Sequence, residues 1–307
     1  MKVMVSGGAG FIGSHITELL FQSGIEVIVV DDLSGGDLGN IPESVSFYKI
    51  SINDPNLEEV FRKERPTHII HHAAQTKVSE SIYNPINDSM TNIIGTLNIV
   101  NCAVKYKCAK FIYASSAAIY GDSKVMPLHE ELEPIPVSPY GISKFVPELY
   151  LKYYYKMYGL PFTILRYSNV YGNRQSVLLD GGVVAIFIDK LLSNQSIKIF
   201  GDGNQTRDFV YVKDIAEANI LALSHGNNQT LNISTRKSIS INTLVTCLES
   251  VYHCKAMAEY ADERPGDIYY SSMDNSRAHK EIGWVPKYDL LAGLKDMTSN
   301  RQQTLVR

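Results

Sequence analysis

The sequence predicts a doubly wound α/β fold, a parallel sheet with helices on both faces, followed by a smaller α/β region. Three observations carry this. Short apolar runs alternate with longer helical patterns through the first 170 residues. The first run, "KVMVS" at 2–6, ends in the glycine-rich turn "SGGAGFIGSH" that opens a helix. An acid, Asp31, closes the second run, 18 residues after Gly13.

The elements follow in order. A helix runs through "IGSHITELLFQSG" and ends near Gly24, where a glycine can close it. Strands are expected over 26–31 and 46–50, a helix over "PNLEEVFRKE", and a strand over 68–73. A long amphipathic stretch covers about 86–106, then a strand over 110–116, a second long helix from about 140 to 158, and a strand over 162–167. Right-handed connections between such strands give the doubly wound arrangement. After about 170 the rhythm breaks: a loop at "GNRQSVLLDGGVV", a helix near 184–193, a strand "IKIF", a strand end and helix in "DFVYVKDIAEANILALS", and a strand "TLNIS". The remainder reads as irregular and polar. The expected division is therefore 1–170 for the sheet domain, with 208–234 returning to it, and 171–307 for a region capping the carboxyl edge of the sheet, where open α/β folds bind ligands.

With 45% hydrophobic and 20% charged residues the composition is that of an ordinary globular chain, long enough for a core that needs no disulfide or metal. A net charge of −3 offers no bulk attraction to nucleic acid or an anionic membrane. Apolar runs fall far short of the roughly 20 residues of a membrane span. The four cysteines form no CxxC and have no histidine cluster beside them, so reduced thiols in a cytoplasmic protein are expected and no metal site.

The glycine turn carries chemistry. Gly7, Gly10 and Gly13 lie between strand and helix, and Gly8, Gly10 and Gly13 also satisfy GxGxxG. Such a turn lets a pyrophosphate approach the backbone, with the helix N-terminus offering free N–H groups and its positive dipole end. Asp31 is placed to accept hydrogen bonds from the adenosine ribose and to repel a 2′-phosphate. No arginine follows until Arg62, so NAD is expected rather than NADP. Asp32 reads equally as a solvated loop acid or a ligand contact.

A second motif is "SPYGISK" at 138–144. Tyrosine and lysine four apart also occur at Tyr106/Lys110 and Tyr120/Lys124, so spacing alone does not decide. Tyr106 falls near a helix end and Tyr120 in a loop. Tyr140 instead follows Ser-Pro, a helix start, which stacks Tyr140 and Lys144 on one face. The strand "KFIYASS" ends at Ser116 on the carboxyl edge, so serine, tyrosine and lysine can converge beside a nicotinamide. A free phenol titrates near 10. A neighbouring ammonium is expected to lower that value and make Tyr140 a base.

Together these blocks, with "HHAAQ" (71–75), "NIIGTLNIV" (92–100), "SSAAIYG" (115–121), "LRYSNVYG" (165–172), "GDGNQTRDFVYVKD" (201–214) and "ERPGD" (263–267), resemble the extended short-chain dehydrogenase/reductases. Within that superfamily the chain is similar to the NAD-dependent sugar-nucleotide epimerases of the UDP-glucose 4-epimerase type. The resemblance covers nearly the whole chain and implies a Rossmann-type sheet. It implies that Gly7, Gly10, Phe11, Ile12 and Gly13 bind the pyrophosphate and Asp31 the adenosine ribose, with Ala73, Ala74 and Asn92 near the cofactor. Ser51 and Ile52 stand where the family often has Asp-Ile against the adenine, which weakens that side-chain contact. Ser116, Tyr140 and Lys144 would be catalytic. Asn169, Arg207, Arg264 and Asp267 would hold the UDP group of the substrate; guanidinium forks suit phosphate. Taken without the resemblance, each arginine reads as a solvated surface cation.

Two positions bear on the reaction. Sugar-nucleotide 4,6-dehydratases carry an Asp-Glu pair after the strand-end residue, and UDP-glucuronate decarboxylases keep a Glu there. This chain has Ala117 and Ala118, leaving oxidation and re-reduction only. Ser271, seven residues beyond Arg264, is small where some 4-epimerases have a bulky tyrosine. It reads either as room for an N-acetyl sugar or as an ordinary loop serine with Tyr269 or Tyr270 filling the space. The expectation is a UDP-hexose 4-epimerase with bound NAD, acting on UDP-glucose/UDP-galactose, on the N-acetylated pair, or on both. The long helices near 86–106 and 140–158 would pair in a homodimer, although the tyrosines of the second suit a core face nearly as well. Alternatives are another nucleotide-sugar epimerase or reductase on the same scaffold, or a non-catalytic NAD-binding regulator.

Overall fold

A computed structural model describes residues 1–177, 181–263 and 268–305, with side chains described through 299. The elements are β1 (Lys2–Ser6), α1 (Phe11–Gln22), β2 (Glu26–Asp31), β3 (Ser46–Lys49), α2 (Leu57–Glu64), β4 (His68–His71), α3 (Val78–Tyr83), α4 (Pro85–Ser89), a π-helical turn (Met90–Gly95), α5 (Thr96–Lys105), β5 (Lys110–Ser116), α6 (Pro139–Tyr158), β6 (Phe162–Tyr167), β7 (Asn169–Tyr171), α7 (Val183–Leu192), β8 (Ile197–Phe200), β9 (Thr206–Arg207), β10 (Phe209–Tyr211), α8 (Val212–Ser224), β11 (Gln229–Ile233), β12 (Ile239–Ser240), α9 (Ile241–Tyr252), β13 (Ala258–Ala261), α10 (Ser276–Ile282) and α11 (Leu290–Leu305).

Seven strands form one parallel sheet in the order β11-β6-β5-β4-β1-β2-β3. The order reverses between β1 and β4, so the crevice at their carboxyl ends is the topological switch point where such sheets take ligands. Continuous apolar strands such as "VMV" and "VIVV" are buried on both faces because helices cover both. One core packs α1 and α8 against the sheet around Val5, Ile16, Leu20 and Ile215. The opposite core centres on Phe61, Ile99, Phe111 and Leu151. A third core, around Tyr171, Ile188, Ile199, Leu244 and Leu294, belongs to the smaller region built on the paired strands β8/β13 and β7/β10.

Pro139 sits in the first turn of α6, and the Ser138 hydroxyl accepts from Gly141 N at 3.1 Å, the N-cap expected of Ser-Pro. Gly159 ends the helix in the left-handed conformation. The long stretch near 86–106 is helical throughout but contains a π turn, and a short α3 precedes it.

The described residues after 234 are not irregular. They hold α9, β13, α10 and α11. Ile241, Leu244 and Leu248 form the buried stripe of α9, a helical period that polar neighbours obscure in the sequence. Tyr120 lies in a 3₁₀ turn and is buried, not in an open loop.

Inside the second core layer α6 is fastened by charge. Arg166 of β6 and Glu148 of α6 are both essentially buried and paired at 2.6 Å, with a second bond from Arg166 Nε at 3.0 Å. Ser115 Oγ donates to Glu148 Oε1 at 2.6 Å, and Arg166 Nη1 donates to the Tyr120 hydroxyl at 2.8 Å. That hydroxyl donates to Asn232 of β11 at 2.7 Å. The network ties β5, α6, β6 and β11 directly behind Lys144. Removing one partner leaves the other charge buried and uncompensated. Glu148→Gln is therefore expected to destabilise the protein by about 3–5 kcal/mol, read as a fall in the urea midpoint; a loss under about 1 kcal/mol, the range of solvent-exposed pairs, would contradict the dry network.

Candidate active site

The site is built on the carboxyl edge of β1, β2, β4 and β5. After β1 the chain turns through Gly7, whose φ is +71°. A Cβ there would meet Ala73 N at 2.5 Å, because His72 N and Ala73 N both donate to Ser6 O as the chain leaves β4. At Gly13 a Cβ would meet Gly7 O at 2.0 Å, which is why the helix can approach the turn only without a side chain. Gly10 is the N-cap of α1 and supplies no side-chain cap, and no acid occupies the first turn. Phe11, Ile12 and Gly13 thus begin a helix whose leading N–H groups suit an anion.

Asp31 ends β2 and is buried. Its carboxylate accepts from Ala9 N and Leu33 N, both at 2.9 Å, so the acid is fixed beside the glycine turn. Burial pushes its carboxyl up, and those backbone N–H groups oppose the shift. Asp32 is exposed and caps its own loop, accepting from Ser34 N at 2.9 Å. Ser51 likewise accepts from Asn53 N at 3.2 Å, and the Ile52 carbonyl accepts from Asn98 at 2.7 Å. Asn92 is buried, and its amide is engaged by protein: Oδ1 accepts from Gln75 N at 2.8 Å, while Nδ2 faces Gln75 O, Asp88 Oδ1 and Ser143 Oγ at 3.0, 3.2 and 3.0 Å. It clamps the segment after Ala73 and Ala74 onto α6.

Ser116 ends β5 and its Oγ accepts from Ala118 N at 3.1 Å. Tyr140 is half-buried near Ser116: loss of solvation pushes its phenol up and dominates, and the Ser116 hydroxyl draws it back down. The expected lowering of Tyr140 by Lys144 is therefore not the direction found, because a phenolate there loses more solvation than its neighbours return. Lys144 is buried. Desolvation lowers its ammonium to about 8, opposed by Asp88 and Glu148. Its Nζ lies 5.1 Å from the centre of the Tyr113 ring, a favourable cation–π contact. His71, bonded to Ser6 and Thr96, and His72, near Tyr167 and Asn219, are held neutral by burial. The other two Tyr/Lys pairs serve elsewhere: Tyr106 donates to Glu58 and Lys110 to the His225 carbonyl, while Tyr120 is in the buried network and Lys124 pairs with Asp122 at the surface.

The smaller region supplies the facing wall. Asn169 opens β7, with its N–H on Asp208 O at 3.0 Å. Arg207 in β9 is half-buried and donates from Nη1 to Thr206 O and Ile268 O at 2.8 and 2.6 Å. Arg264 and Asp267 lie outside the described residues. Beside Arg207 a small cleft is lined by Phe200, Asp202, Gln205, Ile268 and Tyr269. Gln205 Oε1 is buried there without a protein hydrogen-bond partner. Ser271 is buried, the Tyr269 hydroxyl is turned to Asp202 at 3.1 Å, and Tyr270 is 61% exposed. Asp208, buried and missed in the sequence, accepts from Thr235 N, Thr235 Oγ1 and Arg236 N at 2.8, 2.7 and 3.0 Å and so anchors this wall. Among the described residues no group of three His, Cys, Asp or Glu side chains could hold a metal.

A doubly wound sheet with this glycine turn, a strand-end acid, and tyrosine, lysine and serine at the carboxyl edge is the architecture of a dinucleotide-dependent enzyme. The chain belongs to the NAD-dependent epimerase/dehydratase family, whose profile matches residues 3–234. It is 35% identical over 301 residues to a UDP-glucose 4-epimerase of Mycolicibacterium smegmatis, covering 96% of both chains. The structure of a UDP-glucose 4-epimerase of Thermotoga maritima with UDP-glucose superposes with a TM-score of 0.96 at 42% identity, covering 99% of this chain and 100% of that one. A UDP-N-acetylglucosamine 4-epimerase of Methanobrevibacter ruminantium, in complex with UDP-N-acetylmuramic acid, superposes with a TM-score of 0.93 at 36% identity, covering 99% and 98%.

The cradle fits NAD because Gly7 and Gly13 let the turn, the start of α1 and the segment after β4 come closer than any Cβ allows, which sets the leading N–H groups of α1 for a pyrophosphate. Gly13→Ala, which sets a methyl against Gly7 O, is expected to weaken NAD binding at least about tenfold, measured by calorimetry on protein freed of dinucleotide. Unchanged affinity would place the dinucleotide elsewhere.

Proposed function

We propose that the chain is a UDP-hexose 4-epimerase. It interconverts UDP-glucose with UDP-galactose, UDP-N-acetylglucosamine with UDP-N-acetylgalactosamine, or both pairs, through a 4-keto intermediate. The observation that carries this is Tyr140, set by Ser-Pro at the head of α6 near Ser116 and one helical turn before the buried Lys144, with alanine at 117 and 118. Bound NAD supplies reversible oxidation at the sugar C4. Tyr140 accepts the proton of the 4-hydroxyl and returns it to the ketone oxygen after the sugar has turned over. Ser116 holds that oxygen during both transfers. Lys144 contributes a positive charge near the phenol, and its ammonium can donate to the nicotinamide ribose. No carboxylate at 117 or 118 is available to drive elimination of water, so the ketone can only be reduced again.

In this reading Gly7, Gly10, Phe11, Ile12, Gly13 and Asp31 hold the pyrophosphate and adenosine ribose. Arg207, with Asn169, Arg264 and Asp267, holds UDP while the hexose rotates, which keeps the ketone from escaping. The buried Ser271, with Tyr269 turned away to Asp202, supports room at the sugar 2-position. Residues 1–170 with 208–234 form the NAD part and 171–307 the UDP-sugar part. A homodimer is supported by exposed apolar side chains on adjoining helices, among them Ile82, Tyr83 and Ile86 near α4 and Leu149, Tyr150 and Tyr153 on α6. Four free cysteines and no helix able to cross a membrane among the described residues fit the cytoplasm.

Incubation with UDP-glucose and UDP-N-acetylglucosamine, followed by anomeric proton NMR, should reveal the 4-epimers; absence of any 4-epimer would refute the reading. Tyr140→Phe should retain NAD and lose about 10²–10⁴ in kcat, the usual worth of a positioned acid–base group. A regulator would keep its function without the hydroxyl.

A further inference from the structure

We propose that Arg174 is a positioning residue that couples the two ligand sites. Its guanidinium clamps the loop between β7 and α7 onto the first turns of α1, so that a ligand in the smaller region and a dinucleotide at the glycine turn hold each other. Naming those ligands UDP and NAD rests on the epimerase reading; the clamp itself is read from its bonds.

Arg174 stands three residues beyond the end of β7. Its φ is +68°, a left-handed backbone that a bulky residue keeps only where its surroundings hold it. The side chain supplies that hold. Nη2 donates to Glu18 Oε2 at 2.6 Å and Nη1 to Ser14 Oγ at 3.2 Å. Ser14 is fully buried, and its own hydroxyl donates to the Phe11 carbonyl at 3.1 Å. The bonds therefore run in one direction, from the guanidinium through Ser14 to the residue that opens α1. Asn173 adds a third tie, its carbonyl lying 3.0 Å from His15 Nε2. A carbonyl only accepts, so Nε2 carries the hydrogen. Burial keeps that ring neutral by lowering it to about 4.

The same loop is fastened to the substrate side. Gln175 Nε2 donates to Val170 O of β7 at 3.2 Å, and a Cβ on Gly182, the N-cap of α7, would meet Gln175 Nε2 at 2.3 Å. Strand β7 begins with Asn169, and α7 buries Val184 and Ile188 in the third core. Phe11 and Ile12, at the start of α1, pack against that core as well. A shift in the leading turn of α1 is thereby passed to β7 and α7, and a shift there is passed back. The Arg174 and Glu18 side chains are 27% and 38% exposed. A pair that wet adds little to stability, so its removal leaves the fold in place. What it fixes is the position of the loop.

The test is exchange of bound NAD for isotopically labelled NAD in the full-length loaded protein, with and without saturating UDP, whose own binding is followed by calorimetry. In the wild type UDP should slow NAD release about fivefold or more, within the usual range of couplings between sites. Arg174→Gly suits the left-handed backbone and removes only the guanidinium. In that variant UDP should slow release less than about twofold. Glu18→Gln leaves the loop untouched, removes the charge from α1, and should lose the slowing in the same way. A loop residue of merely structural worth would lower stability in these variants and leave the ratio of rates unmoved. The clamp is overturned if both variants keep the full slowing, or if NAD release from the wild type ignores bound UDP. Should UDP give no heat at all, the UDP reading fails, and NAD release alone decides the clamp. Arg174→Gly should then release NAD about fivefold faster or more, and an unchanged rate overturns the proposal.

Discussion

The site depends on one dry contact, the pairing of Glu148 with Arg166 beneath α6. Helix α6 delivers both the phenol and the ammonium, and it must lie against the end of β5 to bring Tyr140 to Ser116. A helix with a lysine and a glutamate buried one turn apart cannot be held there by apolar packing alone. The Arg166 fork takes both Glu148 oxygens, Ser115 adds a third donor, and Tyr120 and Asn232 extend the bonding into β11. In a low-dielectric interior a fully bonded network of this kind is rigid, and a partly bonded one is costly. The position of the reactive groups follows from how completely it is satisfied.

On the other side of the crevice the limiting quantity is space. Three backbones meet at Gly7, Gly13 and Ala73, with separations that admit no Cβ. Helix α1 can then present its N-terminus to a pyrophosphate, and Asp31 is locked beside it by Ala9 and Leu33. Asn92, Ser143 and Gln75 stitch this cofactor wall to α6. The glycine turn and the Tyr140 face of α6 are thereby two faces of one bonded assembly.

Much of this was legible in the sequence because it rests on local rules. Strand and helix periods exposed the sheet and its helices, and Ser-Pro ahead of Tyr140 separated that tyrosine from Tyr106 and Tyr120. What escaped depends on partners distant in the chain. Asp88 in "NPINDSM" looks like a surface acid until α6 closes over it. Glu148 and Asp208 look like ordinary helix and strand-edge acids, and only folding reveals that both are buried. Spacing shows a lysine near Tyr140 but not the desolvation of both groups, and that desolvation sets the direction of the Tyr140 shift. Strands β7, β9, β10 and β12 have two or three residues, too few to show a period. The stripe of α9 was present but diluted by Asn, Thr and Ser.

The central claim is that this buried assembly oxidises and re-reduces a single sugar carbon without exchange with water. UDP-galactose deuterated at C4 tests it directly. After conversion in ordinary water, the UDP-glucose formed should carry its deuterium at C4, because the same hydrogen leaves and returns within the closed site. Washout of that label into solvent, at a rate matching epimerisation, would contradict the account and point to proton abstraction at carbon instead.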